Sequence, residues 1–281
     1  MSFSDRIAAC AEYDPDHYRP FLVDGIEVGR VRHDYARALG PHADVFHVGS
    51  DEVRLADGLT GFRRRTEAID GVLKQLAEGG VLGGWRGEQY AVAAGPAHEP
   101  LFTMERAAVP LLGVMGYGVH LNGTVRDGGG LKMWIARRSM DKHTGPGKLD
   151  QIVAGGLPAG ISPLDNLIKE CAEEAGIEPG QAVLASPEGE VSIRTGHADG
   201  LYLEILYIYD LDLAADFHPV NADGEVDDFY LWPLDRVIEV VRDTDDFEFD
   251  CALVVIDFLV RHGFIGPDHP EYRTIVGGLR L

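Results

Sequence analysis

The feature that most constrains this chain is a short helix whose two ends are both written into residues 155–179. A glycine-bearing lead-in, Gly155-Gly156-Leu157-Pro158-Ala159-Gly160, runs into Ser162-Pro163. Serine is a favoured N-cap and proline suits the first helical position, with Asp165 where a capping-box acid would sit. Gly176 fits the left-handed closing position, and Pro179 prevents continuation. The predicted helix spans 164–175. Leu164, Leu167, Ile168, Cys171 and Ala175 recur at helical spacing and form one apolar stripe. Glu170, Glu173 and Glu174 fall at i, i+3 and i+4, so they project from one patch.

That patch runs against local electrostatics. Like charges at these spacings repel, and anions near a helix C-terminus oppose the macrodipole. Three carboxylates alone describe many solvated faces. Joined to a glycine loop and a capped helix, they describe a site for a hard cation such as Mg²⁺ or Mn²⁺, which takes oxygen ligands.

The rest of the chain bounds the possible partners. Its 281 residues carry 46 acidic and 25 basic side chains, a net charge of -21. So negative a surface disfavours nucleic acid and anionic membrane, while a small anion remains acceptable where metal or local cations reverse the field. No apolar run is long enough to span a bilayer, and the opening residues lack the pattern of a signal peptide. Cys10, Cys171 and Cys251 are widely separated, and no HxxxH or CxxC pair occurs, so reduced buried thiols are expected and a zinc site is not. These features together imply a cytoplasmic protein.

Along the chain, Asp24-Gly25 signals a hairpin within FLVDGIEVGRV, and Ile69, Val72, Leu73 and Leu76 mark a helix over 63–78. The run Arg63-Arg64-Arg65 reads as a solvated helix start. The turn-rich Gly95-Pro96-Ala97-His98-Glu99-Pro100 is a candidate junction. Strands are expected at VPLLGVMGYGVHL, LKMWIARRS and LYLEILYIYDL, and a buried helix at CALVVIDFLVRHG. Strands flanked by helices predict an α/β class.

The central segment resembles the Nudix box, G-x5-E-x7-R-E-U-x-E-E-x-G-U with U aliphatic. Gly155 is followed at the family spacing by Lys169-Glu170-Cys171-Ala172-Glu173-Glu174-Ala175-Gly176-Ile177. Ile161 replaces the first acid, Lys169 replaces the arginine, and Cys171 is a loose aliphatic. Flanking sequence, including GYGVHLNG and YIYDLDLAADFHPVNADGEVDDFYLWPLDRV, is similar to a Nudix group related to the N-terminal part of fungal thiamine pyrophosphokinases. The resemblance covers nearly the whole chain, most strongly 107–240.

It implies an α/β/α sandwich at 106–281 behind a smaller, substrate-assisting α+β domain at 1–105. It also implies Mg²⁺ or Mn²⁺ on Glu170, Glu173 and Glu174, and hydrolysis of a small organic diphosphate to the monophosphate. Oxidised (oxo or oxy) thiamine diphosphate is the inherited substrate, and a homodimer the inherited assembly. Glu174 or Glu225 is the expected base, with Lys169 pairing a glutamate as a point charge. Ile161 puts the metal site in question, so a ligand from elsewhere, or slow turnover, is the corollary.

Glu225, in the turn Asp223-Gly224-Glu225-Val226, is either that further carboxylate or a solvated turn residue. Arg137, Arg138, Lys142 and Lys148 are candidate diphosphate ligands, against the alternative of ordinary surface balance. Trp85, Tyr90, Tyr117 and Trp134 are either core aromatics or a stacking surface. Two other activities stay open: a Nudix enzyme acting on nucleotide-type diphosphates, and a non-catalytic ligand-binding module.

Overall fold

The computed structural model describes residues 1–95 and 98–280. At its centre is a mixed sheet of long strands in the order Ser186–His197, Gly200–Asp212, Met115–Asp127, Gly130–Arg138, Val226–Pro233. Gly200–Asp212 runs parallel to Met115–Asp127, and the other neighbours in this row are antiparallel. Two short strands join it: Leu149–Gln151 pairs with Gly130–Arg138, and Val153–Gly156 pairs with Met115–Asp127.

Strand periodicity sorts the side chains onto two faces. Leu206 and Ile208 enter the core formed with helices Leu234–Asp243, Phe249–Arg261 and Tyr272–Gly278, while Tyr207, Tyr209 and Leu211 enter the opposite core beneath helix Pro163–Ala175. Helices therefore cover both faces, which is the α/β/α sandwich expected from the sequence. Helix Phe249–Arg261 is buried from Cys251 through Leu259, as its all-round apolar sequence required. No described helix is long and apolar enough to cross a membrane. All three cysteines are free and buried.

The leading residues build a four-stranded sheet in the order Ile26–Arg32, Tyr18–Val23, Val53–Leu55, Phe46–Val48, with helix Phe62–Glu78 and the hairpin Gln89–Val92/Phe102–Glu105. The expected Asp24-Gly25 turn forms, with φ of 52° and 78° at its two residues, the geometry of a type I′ turn. Arg65 is not part of a solvated run: it is buried and holds both carboxylate oxygens of Asp24 at 2.6 and 2.8 Å. The candidate junction at 95–100 connects the two hairpin strands, which share one core; its Pro96 and Ala97 lie outside the described residues. The first helix, Phe3–Ala9, instead packs Phe3 and Ile7 into the core of the C-terminal helices.

Part of the strand expected at VPLLGVMGYGVHL is helical. Val109–Leu112 makes one turn, which Gly113 ends in the left-handed region at φ 55°. The contact behind this is a backbone approach. Arg30 N–H donates to the Gly113 carbonyl at 3.0 Å, and a Cβ on Gly113 would lie 2.0 Å from the Arg30 carbonyl. Only glycine fits at that seam, where the leading sheet docks against the large one.

Candidate active site

Helix Pro163–Ala175 is capped as its sequence dictates. Ser162 Oγ accepts from Asp165 N–H at 3.1 Å and donates to the Asp165 carboxylate at 2.6 Å, and Gly176 closes the helix at φ 64°. Leu167, Cys171 and Ala175 face the core, whereas Leu164, in the open first turn, is exposed. That anchoring fixes where the three glutamates point.

Glu174 turns inward and is only 4% exposed. Its carboxylate accepts the Ala154 N–H at 2.8 Å, tying the helix to the glycine strand. Burial pushes this carboxyl up to about 8, against the pull of Lys142. The loop between strands Gly200–Asp212 and Val226–Pro233 brings Asp223 and Glu225 to it: one carboxylate oxygen from each of Glu174, Asp223 and Glu225 lies within 4.8 Å of the others. Lys142 inserts its ammonium here, bonded to Glu225 and 3.7 Å from Glu174. Burial would raise the Glu225 carboxyl, but Lys142, Arg106 and Arg86 outweigh it and hold it below its ordinary value.

Glu170 and Glu173 form a neighbouring pair around Lys169, whose ammonium lies 3.2 Å from Glu170 and 2.9 Å from Glu173. Burial raises the Glu170 carboxyl, and the fields of Glu173 and Glu225 add to it. Gly155 explains how Glu170 fits: a Cβ there would lie 2.6 Å from Glu170 Cγ and Cδ. An all-oxygen set of this kind, already sheltering one cationic head, suits a hard divalent ion.

Beside the glycine strand opens a cavity of about 200 Å³, lined from both halves of the chain. The leading half contributes Arg86, Tyr90 and Arg106; the large sheet contributes Tyr117, Tyr202 and Glu204. Buried Glu105 accepts from the N–H groups of Arg86, Gly87 and Ala107, which fixes the loop carrying those arginines. Arg106 sits over the Tyr90 ring at 5.8 Å and pairs with Glu88 at 3.0 Å. A Cβ on Gly156 would overlap the Tyr90 hydroxyl and come within 3.1 Å of the Arg106 guanidinium, so both groups lie against the glycine strand.

The family model of the NUDIX domain matches residues 118–250, and that of a domain of unknown function (DUF4743) matches residues 2–116. Nudix hydrolase 24, chloroplastic, of Arabidopsis thaliana is 42% identical over 263 residues, covering 93% of this chain and 72% of that protein. The chain belongs to the Nudix hydrolase family. Nudix hydrolase 20, chloroplastic, of the same plant is 40% identical over 271 residues, again covering 93% and 72%. Among solved structures, the NUDIX domain of Shewanella oneidensis NrtR complexed with ADP ribose aligns at a TM-score of 0.42 and 17% identity, over 53% of this chain and 87% of that one.

This Nudix chain is thus a hydrolase acting on a diphosphate bond, and Pro163–Ala175 is the helix of its Nudix-box segment. Of the basic residues singled out in the sequence, Lys142 reaches the carboxylates. Arg138 borders the cavity with its guanidinium committed to Asp150 at 2.6 Å and to the Thr144 carbonyl at 2.9 Å. Arg137 donates to the Gly147 carbonyl and to Tyr230, and Lys148 is drawn to Asp245. Of the four aromatics, Tyr90 and Tyr117 line the cavity, Trp134 belongs to the core under the Nudix helix, and Trp85 is exposed. Arg86, Arg106 and Glu204 went unnoticed in the sequence, because nothing local distinguishes them; the fold alone carries them to residues 155–156.

The structure also groups His120, Asp150 and Cys251 within 4.8 Å, all buried. Arg138 and the Cys251 thiol already occupy the Asp150 carboxylate, and His120 shares a hydrogen bond with Gln151 at 2.7 Å. This group is an interior network that braces the cavity floor.

Proposed function

We propose that the chain hydrolyses the diphosphate of a small organic compound to its monophosphate, using Mg²⁺ or Mn²⁺ held by Glu170, Glu173 and Glu174. The observation that carries the reading is the meeting of Glu174, Asp223 and Glu225 beside a cavity shared by both halves of the chain. Asp223 and Glu225 supply carboxylates that the Ile161 replacement withholds. A bound ion supplies charge neutralisation on the diphosphate and a more acidic water. Glu225, held below its ordinary value, accepts the proton of the attacking water, with Glu174 as the alternative base. Lys169 balances Glu170 and Glu173. Arg106, Arg86 and Lys142 gather positive charge where the phosphates would lie, while Arg138 is committed to Asp150 and Thr144.

Oxidised thiamine diphosphate is the substrate we put first, on the similarity of the flanking segments to that Nudix group. The leading half supports it by lining the cavity with Tyr35, Leu82 and Tyr90, room for an organic group larger than phosphate. Phosphate release with Mg²⁺ over oxo- and oxythiamine diphosphate, ADP-ribose and nucleoside triphosphates tests the order. Equal or higher kcat/KM on the nucleotides rejects the thiamine assignment, and tight binding without any metal-dependent turnover rejects the hydrolase.

A further inference from the structure

One side of the cavity, within the field of Arg106, is acidic and aromatic. Glu204 stands on strand Gly200–Asp212, Asp199 sits in the turn just before it, and Glu248 and Asp250 arrive from the start of helix Phe249–Arg261. Asp199 is satisfied by the Tyr202 hydroxyl at 2.6 Å, and Asp250 accepts the Cys251 N–H at 2.7 Å. Glu204 has no hydrogen bond or ion pair among the described residues. The rings of Tyr202 and Phe249 meet edge to face at 5.9 Å and provide the apolar part of this side.

A second unpartnered group faces the same space. Tyr90 is 5% exposed, and its hydroxyl has no hydrogen-bond partner, although it lies against Gly156. A buried hydroxyl without a partner is costly unless a ligand completes it. The cavity therefore combines two kinds of lining. Arg86 and Arg106 lie near the Glu225 carboxylate, where a diphosphate would lie, and carboxyls and aromatic rings line the rest of its wall. An all-hydrocarbon group would leave Glu204 buried and unpaired, a penalty of its own. A positively charged or N–H-bearing ring would satisfy it and stack on the aromatic wall.

We propose that this cavity is the pocket for the organic end of the diphosphate, and that Glu204 selects an organic group presenting a cationic or N–H-donating nitrogen. This rests on the diphosphate-hydrolase reading above. The electrostatics agree with an acid awaiting such a partner: burial first, then Asp250, pushes the Glu204 carboxyl up to about 8, while Arg106 pulls the other way. Glu248, raised to about 7, joins it. A ligand nitrogen that donates to Glu204 relieves that burial.

The test is calorimetric binding in EDTA, where turnover does not intrude, with two probes: thiamine diphosphate, which carries a cationic ring and an aminopyrimidine, and geranyl diphosphate, a hydrocarbon chain on the same anion. Wild type is expected to bind thiamine diphosphate about tenfold or more tightly than geranyl diphosphate, the scale of one charge-assisted hydrogen bond. Glu204→Gln, which keeps the shape, should erase most of that preference and leave geranyl diphosphate within about twofold. No preference in wild type overturns the proposal without recourse to any variant. A Glu204→Gln protein that melts normally and keeps the preference, or weakens both probes alike, overturns it too. Failure of the hydrolase reading looks different: no phosphate release in Mg²⁺ from any diphosphate, whatever the binding shows.

Discussion

If Glu204 waits for a partner, removing its charge should stabilise the empty protein, and only over a defined pH range. Its carboxyl moves from an ordinary 4.5 to about 8 in the folded chain. A raised carboxyl means the native state holds a proton that the unfolded state has lost. Wild-type stability therefore falls as pH rises from about 4.5 to 8, is unaffected by this group below that window, and suffers the full loss above it. Converting the whole interval at about 1.4 kcal/mol per tenfold gives a ceiling near 5 kcal/mol. Glu204 borders a water-accessible cavity and feels Arg106, so solvent screening reduces this to about 1–2 kcal/mol. Glu248, raised as well, shares the slope, and Asp250, Asp199 and Arg106 are charged neighbours in the same space, and for that reason the comparison is between wild type and Glu204→Gln rather than across pH alone. Urea unfolding in EDTA should show the two proteins within about 0.5 kcal/mol at pH 4.5, with the variant about 1–2 kcal/mol more stable at pH 8.5. A gap independent of pH, or a less stable variant at high pH, refutes the reasoning.

Other perturbations test the metal-site assignment and its supports. Millimolar Mg²⁺ should raise the Tm of wild type, since an ion binding only the folded state adds roughly 2.7 kcal/mol at a hundred times its Kd. Glu173→Gln and Glu174→Gln should fold with the metal-induced shift and turnover both lost; a Glu173→Gln enzyme retaining both rejects that ligand. Gly155→Ala places a methyl 2.6 Å from Glu170 Cγ, so kcat should fall with Mg²⁺ response weakened while far-UV circular dichroism stays native. An alanine variant with wild-type kinetics shows that Glu170 does not act from that position. Arg106→Ala should raise KM for any diphosphate by about tenfold, the loss of one charge-assisted contact, with kcat changed less. A change in kcat alone argues against a binding role.

The Nudix helix was legible because its information is local. Ser162, Pro163, Gly176 and the period of Leu167, Cys171 and Ala175 specify cap, start, stop and buried face within about twenty residues. The sandwich was legible for a similar reason, since long alternating strands such as Gly200–Asp212 announce two covered faces. What failed to show was long-range. Val109–Leu112 reads as strand by composition, and the demand that Gly113 meet Arg30 overrides it. Arg65 reads as solvated from its neighbours Arg63 and Arg64, yet Asp24, 41 positions away, buries it. Arg86 and Arg106 lie far upstream of the Nudix helix, and no period or motif ties them to it.

The strongly acidic balance of the chain sharpens what those upstream cations do. With a net charge of -21, a free diphosphate is repelled by most of the surface. Attraction has to be built at one place, and here it is assembled from separate elements: Arg86 and Arg106 held by the buried Glu105, and Lys142 on the loop after strand Gly130–Arg138. Lys142 balances Glu174 and Glu225. The leading half is therefore joined to the carboxylate cluster by charge as well as by shape: Arg86 and Arg106 offset the field of Glu225, which alone would repel an anion.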